Sequence, residues 1–386
     1  MQPEDFTSSQ AGIVKKTPQG YYAFFPNPLP PVLEVDWPLG RLLCQAERTL
    51  DELKRTGQLL PDSQLFIRPY LFQEAISSSR IEDTFAEMEE LFRFEIEGGT
   101  PKRTDVLEVW NNARAIEHRF NSTLPLSKRF ICEMHQILLS NVRGGHISKT
   151  PGEFRRSQNW IGEPGSTLNT ATFVPPPPDE MLEALSNWER YIHTESVEPT
   201  LVKCAILHYQ FEAIHPFLDG NGRLGRAIIS LFLNEQDLLS QPVFNLSAFF
   251  DENRDAYYES LLKVSQKGDW RQWIEFFLLG VRQQAIAVLA NTQDALRLYS
   301  KYQTQLKEAT RVPHTAVYIL NELFANPFFS IPRYTKISGE SFANINLGVK
   351  FWIERGILMQ CTERKRNRVF VARELLDLRY FNGRRS

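Results

Sequence analysis

One histidine, one aspartate and two arginines fall together at His215, Asp219, Arg223 and Arg226, inside the stretch FEAIHPFLDGNGRLGRAIISLFL from Phe211 to Leu233. Apolar runs with helical spacing flank the segment, so its polar centre reads as a loop between two helices. A hairpin turn at Asn221 and Gly222 conflicts with that spacing. A calcium loop fails because Ser230 stands where the closing bidentate glutamate belongs. An ordinary helix-to-helix turn remains, but it leaves the arginines unexplained. On a helix starting near 223 both lie in the first turn, where the macrodipole disfavours cations. Spaced three apart, they point to one side.

An anion removes the conflict. Gly220 and Gly222 carry no side chain to block the backbone amides before the helix. Exposed amides, a positive helix end and two guanidinium groups make a cradle for a phosphate chain. Asp219 is then an unwelcome charge unless a magnesium ion stands between it and the phosphates. His215 precedes Pro216, so the first helix ends there and presents its imidazole at the loop mouth. With an ordinary pKa of about 6.5, that imidazole can take a proton from a hydroxyl near neutral pH. No serine or cysteine has the spacing of a nucleophile elbow, so the attacking hydroxyl belongs to another molecule. The chemistry expected is transfer of a nucleotide phosphate group to a protein hydroxyl.

These residues need a rigid frame, and the chain supplies a mainly α one. Its 386 residues suffice for two or three domains, with 42% hydrophobic and 23% charged residues. A net charge of −2 argues against a broadly basic nucleic-acid coat. No signal-like start and no apolar run near the ~20 residues of a membrane span are read. Cys44, Cys132, Cys204 and Cys361 are scattered without a CxxC pair, and reducing cytoplasm is the expected compartment. The first forty residues read as a proline-rich arm. Helical spacing begins near Leu42, and one run is expected over PYLFQEAISSSRIEDTFAEMEELFRFE, with Ile76, Ile81, Phe85, Met88 and Phe92 as its apolar stripe. Further helices are expected over 106–120, 128–139, 179–193, 200–214, 223–233, 254–264 and 270–307. Between Gly152 and Pro178 the periodicity stops, and a small hairpin leading into a polyproline spacer fits best.

The stretch HPFLDGNGRLGR, His215 to Arg226, resembles the signature HPFx[D/E]GNGRxxR of the Fic family. The resemblance implies a Fic-type helical bundle with a small β-hairpin flap, the bundle covering residues 105–290 after an N-terminal arm and helical region, 1–104. It implies adenylylation: AMP from ATP, with magnesium, placed on a Ser, Thr or Tyr hydroxyl of a target protein or of the chain itself. His215 would be the general base, Phe217 the anchor of the loop, and Asp219 the magnesium ligand. The stretch Gly220, Asn221, Gly222, Arg223, Leu224, Gly225 and Arg226 would hold the phosphates, Arg223 at the β- and Arg226 at the γ-phosphate. Tyr257 is chosen over Tyr258 for the adenine. Residues 159–173 resemble the flap on which a target segment adds as a strand. In SSSRIEDT, Ser78 and Glu82 resemble the inhibitory pattern (S/T)xxxE(G/N), except that Asp83 holds the last place. There Glu82 would pair with Arg226 and displace the γ-phosphate.

Residues 291–386 read as a linker helix and, after Pro313, three short helices and an alternating segment around a basic tip, ERKRNR, as in a winged helix-turn-helix domain. Lys350 and Arg355 are the basic residues of its presumed recognition helix, and Arg384 and Arg385 add to the basic end. Docking of DNA, of a protein or of a second copy stays open. So do phosphotransfer and AMP removal at the Fic-like site, and a DNA-binding regulator whose core senses a nucleotide.

Overall fold

The computed structural model describes residues 1–58, 67–99, 101, 103–142, 149–240, 244–361 and 368–378. Its centre is α7 (Thr200–Ile214), on which nearly every side chain is buried. A helix apolar on all sides must be surrounded, and this one is. Around it lie α1 (Trp37–Gln58), α2 (Ile67–Ile81), α3 (Met88–Glu97), α4 (Thr104–Asn121), α5 (Lys128–Leu138) and α6 (Pro178–His193) on the N-terminal side. After it come α8 (Asn221–Glu235), α9 (Ser247–Glu252), α10 (Arg254–Lys267) and α11 (Trp270–Glu308). Helix α11 packs along α1 and runs without a break past residue 290. By length and composition alone it could cross a membrane, yet 56% of its most apolar window is buried inside the protein, as a core helix requires.

Two sequence expectations change here. The N-terminal arm holds an antiparallel hairpin, β1 (Gly12–Lys16) and β2 (Tyr22–Pro26), in register from Gly12 opposite Pro26 to Lys16 opposite Tyr22. The prolines around 26–31 hide its alternation. Ala23 and Phe24 are buried, and Phe24 and Phe6 pack on Phe173 with ring centroids 5.4 and 6.4 Å away. The run expected over residues 69–95 is two helices: α2 stops at Ile81 and α3 begins at Met88. Asp83 has φ 56°, and Thr84 N–H returns to the carbonyl of Ser79. Phe85, expected on the apolar stripe, lies in the break and is exposed.

The last part runs α12 (His314–Ala325), β3 (Phe328–Ser330), α13 (Ile331–Ser338), α14 (Phe342–Glu354), β4 (Met359–Gln360) and β5 (Val369–Val371). The three strands form an antiparallel sheet in the order β3-β5-β4. Of the expected basic tip, residues 363–367 lie outside the described residues, as do Arg384 and Arg385.

Candidate active site

The loop between α7 and α8 is held from three sides before any ligand enters. Asn221 is 2% exposed; its amide accepts from Phe217 N–H and donates to the Phe217 carbonyl, both at 2.8 Å. The Phe217 ring is buried and stacks on the His135 imidazole at 3.9 Å. His135 Nδ1 accepts from Gly152 N–H at 2.8 Å, so Nε2 carries the proton and donates to the Asp219 carbonyl at 3.0 Å. Burial holds His135 neutral, with its pKa down to about 4.

This bracing sets the two helix ends. Helix α7 stops at Ile214, and His215 caps it at φ 50°, ψ 62°, a left-handed conformation that costs a non-glycine residue about 1–2 kcal/mol. There His215 Nδ1 lies 3.3 Å from the Glu212 carbonyl. A carbonyl only accepts, so Nδ1 carries the hydrogen and Nε2 keeps a lone pair. Burial first, then the nearby Arg155 cation, lowers the His215 pKa to about 4, against the opposing pull of Glu82 and Asp219. His215 is a neutral base at neutral pH.

Helix α8 starts at Asn221, two residues earlier than its spacing suggests, so Arg223 is in the first turn and Arg226 in the second. Gly220 caps it at φ 79°, where no side chain can close the first amides. Helices α5, α11 and α14, by contrast, have Ser127, Asp269 and Ser341 doing that. The uncapped end of α8 faces a carboxylate of the chain itself. A methyl group on Gly222 would meet Glu82 Oε1, and Glu82 Oε1 accepts from Arg226 Nη2 at 2.7 Å. Arg226 also donates Nε to Ser78 Oγ at 2.9 Å and Nη2 to the Ser78 carbonyl at 2.8 Å. The Arg226 side chain is 1% exposed and that of Glu82 36%, so the carboxylate enters from the rim. Burial pushes the Glu82 carboxyl up, but Arg226, with Arg223 and His215 behind it, reverses this and holds it below the usual carboxylate range.

Arg223 is 7% exposed and satisfies little of its fork: Nη2 is 3.5 Å from Asp219 Oδ1 and Nη1 is 4.0 Å from Glu108 Oε2. Its Nε and Nη1 have no hydrogen-bond acceptor among the described residues. A buried cation so placed fits an anion between α8 and Asp219. Asp219 keeps 36% of its side chain open. One exposed carboxylate beside a phosphate site suits magnesium, which takes one or two carboxylates and fills its shell with phosphate and water.

Three expected positions turn elsewhere. Tyr257 is 1% exposed, stacked on Phe250 at 4.5 Å, and donates its hydroxyl to His208 Nε2 at 2.8 Å, because His208 Nδ1–H is spent on the Gly225 carbonyl. It is a core residue with no open ring face, while its neighbour Tyr258 is the exposed one. Leu224 is buried, and Gly225 faces Glu212 and Phe211 of α7 rather than the cradle. The hairpin expected over 159–173 reduces to a single bridged pair, Ile161 with Phe173.

The roles of Glu212, Arg155, Asn159 and His135 escaped the sequence reading. Glu212 sits in the last turn of α7, where the helix dipole disfavours an acid, and that placement was a readable signal. Arg155 and Asn159 gave none, since their carbonyl partners come from distant parts of the chain.

The Fic/DOC family profile matches residues 125–233, and the family's N-terminal profile matches 41–121. The chain belongs to the Fic/DOC family. Among curated relatives, the protein adenylyltransferase Fic of Drosophila ananassae is 31% identical over 150 residues, covering 38% of this chain and 26% of the relative. That of Drosophila persimilis is 27% identical over 230 residues, covering 57% and 39%. The chain thus spans less than half the length of these relatives. Two solved structures share the fold. A Fic family protein from Desulfovibrio desulfuricans G20 covers 89% of this chain and 98% of its own at TM-score 0.57 and 18% identity. Fic-1 (residues 134–508) from C. elegans covers 67% and 74% at 0.53 and 21%. The Fic fold here is mainly helical with small antiparallel sheets.

Proposed function

We propose that this Fic/DOC protein transfers AMP from ATP to a hydroxyl of a target protein or of itself, and that Glu82 restrains the transfer. One observation carries the reading: the Glu82 carboxylate lies over Gly222 at the uncapped start of α8 and pairs with Arg226. The end of α8 is therefore an anion site, filled by an internal anion in the resting chain.

With ATP bound, Arg226 would hold the γ-phosphate in place of Glu82, and Arg223 the β-phosphate through the donors it leaves unused. Asp219 would hold magnesium, which neutralises phosphate charge when bound. His215 Nε2 takes the hydroxyl proton as that oxygen bonds to the α-phosphorus. The bond from the α-phosphorus to the bridging oxygen breaks, and pyrophosphate leaves. The glutamate acts by misaligning the triphosphate: with Arg226 occupied, the γ-phosphate has no anchor and the α-phosphorus is out of line. A target segment would pair along the exposed edge at Trp160 and Ile161.

In this reading residues 1–104 regulate, 105–290 transfer and 291–386 dock. The order helix, strand, two helices, two strands, with β5 central, supports a winged helix-turn-helix domain. Its α14 supports a protein partner more than DNA. Phe342 and Leu347 are exposed, and Arg355 is folded back with its guanidinium 3.5 Å over the Phe351 ring.

The test incubates the protein and its Glu82→Gly variant with magnesium and either α- or γ-labelled ATP. Label from the α position alone is expected, at least tenfold stronger in Glu82→Gly and absent once His215→Ala is added. Label from γ alone would make the enzyme a phosphotransferase. None from either position, in either form, would overturn the proposal.

A further inference from the structure

Arg155 is buried, 2% exposed, and no carboxylate pairs with it among the described residues. A desolvated cation without a counter-ion is costly unless its donors are all used. Here they are spent on backbone carbonyls from two directions. Nε donates to the His215 carbonyl at 2.9 Å, and Nη2 reaches Ile214 O at 3.4 Å. These are the last carbonyls of α7, the negative end of that helix. On the other side Nη1 donates to Ser157 O at 3.3 Å and Nη2 to Pro176 O at 2.5 Å. The Arg155 N–H adds a bond to Pro216 O at 3.0 Å.

Ser157 lies just before the segment 159–173 and Pro176 just after it. Neighbouring amides repeat the pattern. Asn159 Nδ2 donates to Phe217 O at 2.8 Å and His215 O at 3.3 Å. Gln158 Nε2 donates to Pro175 O at 2.9 Å. The segment itself has one bridged pair, so its own ladder cannot fix where it stands relative to His215.

We infer that Arg155 is a positioning residue, which ties both ends of the flap 159–173 to the backbone of His215 so that a hydroxyl presented by the flap meets the imidazole. The inference rests on the transfer reading above. The guanidinium is suited to this because its planar fork aims donors in several fixed directions at once; lysine has one point of charge and cannot span both sets of carbonyls. Burial lowers the Arg155 pKa to about 10, which leaves it charged at neutral pH.

The test compares Glu82→Gly with Glu82→Gly/Arg155→Lys and Glu82→Gly/Asn159→Ala. The second double variant cuts the parallel tie from Asn159 to the His215 and Phe217 carbonyls without placing a new group in the core. Three quantities are measured: rate of α-label transfer, affinity for an ATP analogue with a methylene bridge between the α- and β-phosphorus, and amide exchange. Both variants are expected to bind the analogue within threefold of the parent and to transfer label at least tenfold more slowly. The Ile161 and Phe173 amides should exchange at least tenfold faster, with α7 and α8 as protected as before. Parallel loss of affinity and helix protection would mean a merely structural role. Unchanged transfer with unchanged flap protection would overturn the inference. If the Glu82→Gly parent transfers no label, the reading of the site fails on its own, and exchange at Ile161 and Phe173 still decides whether Arg155 holds the flap.

Discussion

Glu212 shows how one carboxyl can be shaped by the helix it faces. Its Oε1 lies where a side chain on Gly225 would go, so a larger residue at 225 would have to turn the Glu212 carboxyl aside. That oxygen has no hydrogen-bond partner among the described residues. Burial raises the Glu212 pKa to about 7; Arg226 pulls it down and Glu82 pushes it up. A folded pKa above the unfolded value means the folded chain binds the proton more tightly. Stability is therefore full below the unfolded value near 4.3 and falls as pH rises to about 7, by on the order of 3 kcal/mol. Glu212→Gln should melt higher than the parent at pH 8 and close to it at pH 4.5. Equal shifts at the two pH values would refute the burial argument. Asp83 carries a similar lesson. Its left-handed φ of 56° is the backbone that glycine and asparagine adopt most easily, and aspartate is tolerated there too. Here it also holds Arg254 with two bonds at 2.9 and 3.0 Å, so its departure from the Gly-or-Asn pattern keeps the turn that carries Glu82.

Between elements, the contact of most consequence joins the N-terminal hairpin to the flap. Phe24 N–H donates to Val174 O at 2.9 Å, Tyr21 donates its hydroxyl to Gln158 Oε1 at 3.0 Å, and Phe24 packs on Phe173. The hairpin is the back wall of a segment that has little pairing of its own. Phe24→Ala removes a fully buried ring and should cost about 3–5 kcal/mol of local stability. Exchange at Phe173 and Val174 is expected to accelerate well before exchange in α7. If both respond together, the hairpin supports the whole core and not the flap.

Across the molecule, Glu95 is the point where the N-terminal helices meet the C-terminal elements. Its carboxylate is 8% exposed, 3.1 Å from Arg68 Nη1 of α2 and 3.4 Å from Arg333 Nη2 of α13. Asn326 Nδ2 donates to it at 2.9 Å and to the Phe92 carbonyl at 3.2 Å. Helix α3, which carries Glu95, begins shortly after Glu82, so the turn that carries Glu82 is pinned on the Arg226 side and on the Glu95 side. Removing one member of a buried ionic cluster strands the others. Glu95→Ala should lower unfolding stability by about 3–5 kcal/mol, read from urea denaturation followed by tryptophan fluorescence. A loss under about 1 kcal/mol would show that water already screens the cluster.

The layout of the loop was legible because it obeys local rules: cations and glycines gathered at a positive helix end, and a histidine stopped by a proline. The same holds for α4 to α8, α10 and α11, whose apolar periods are long enough to announce themselves. What stayed hidden depends on partners distant in the chain. The hairpin at residues 12–26 gains its buried face from Phe173, the break after Ile81 is closed by Arg254, and Arg155 is defined by carbonyls about sixty residues away. Tyr257 looked available because its number says nothing of His208, which draws its hydroxyl inward. Sequence by itself determined that a loop rich in glycine and arginine joins two buried helices, since spacing and helix polarity are properties of the local chain. Only the tertiary structure decided that the loop's own anion is Glu82, because a carboxylate reaches Gly222 and Arg226 solely when α2 is packed across the start of α8.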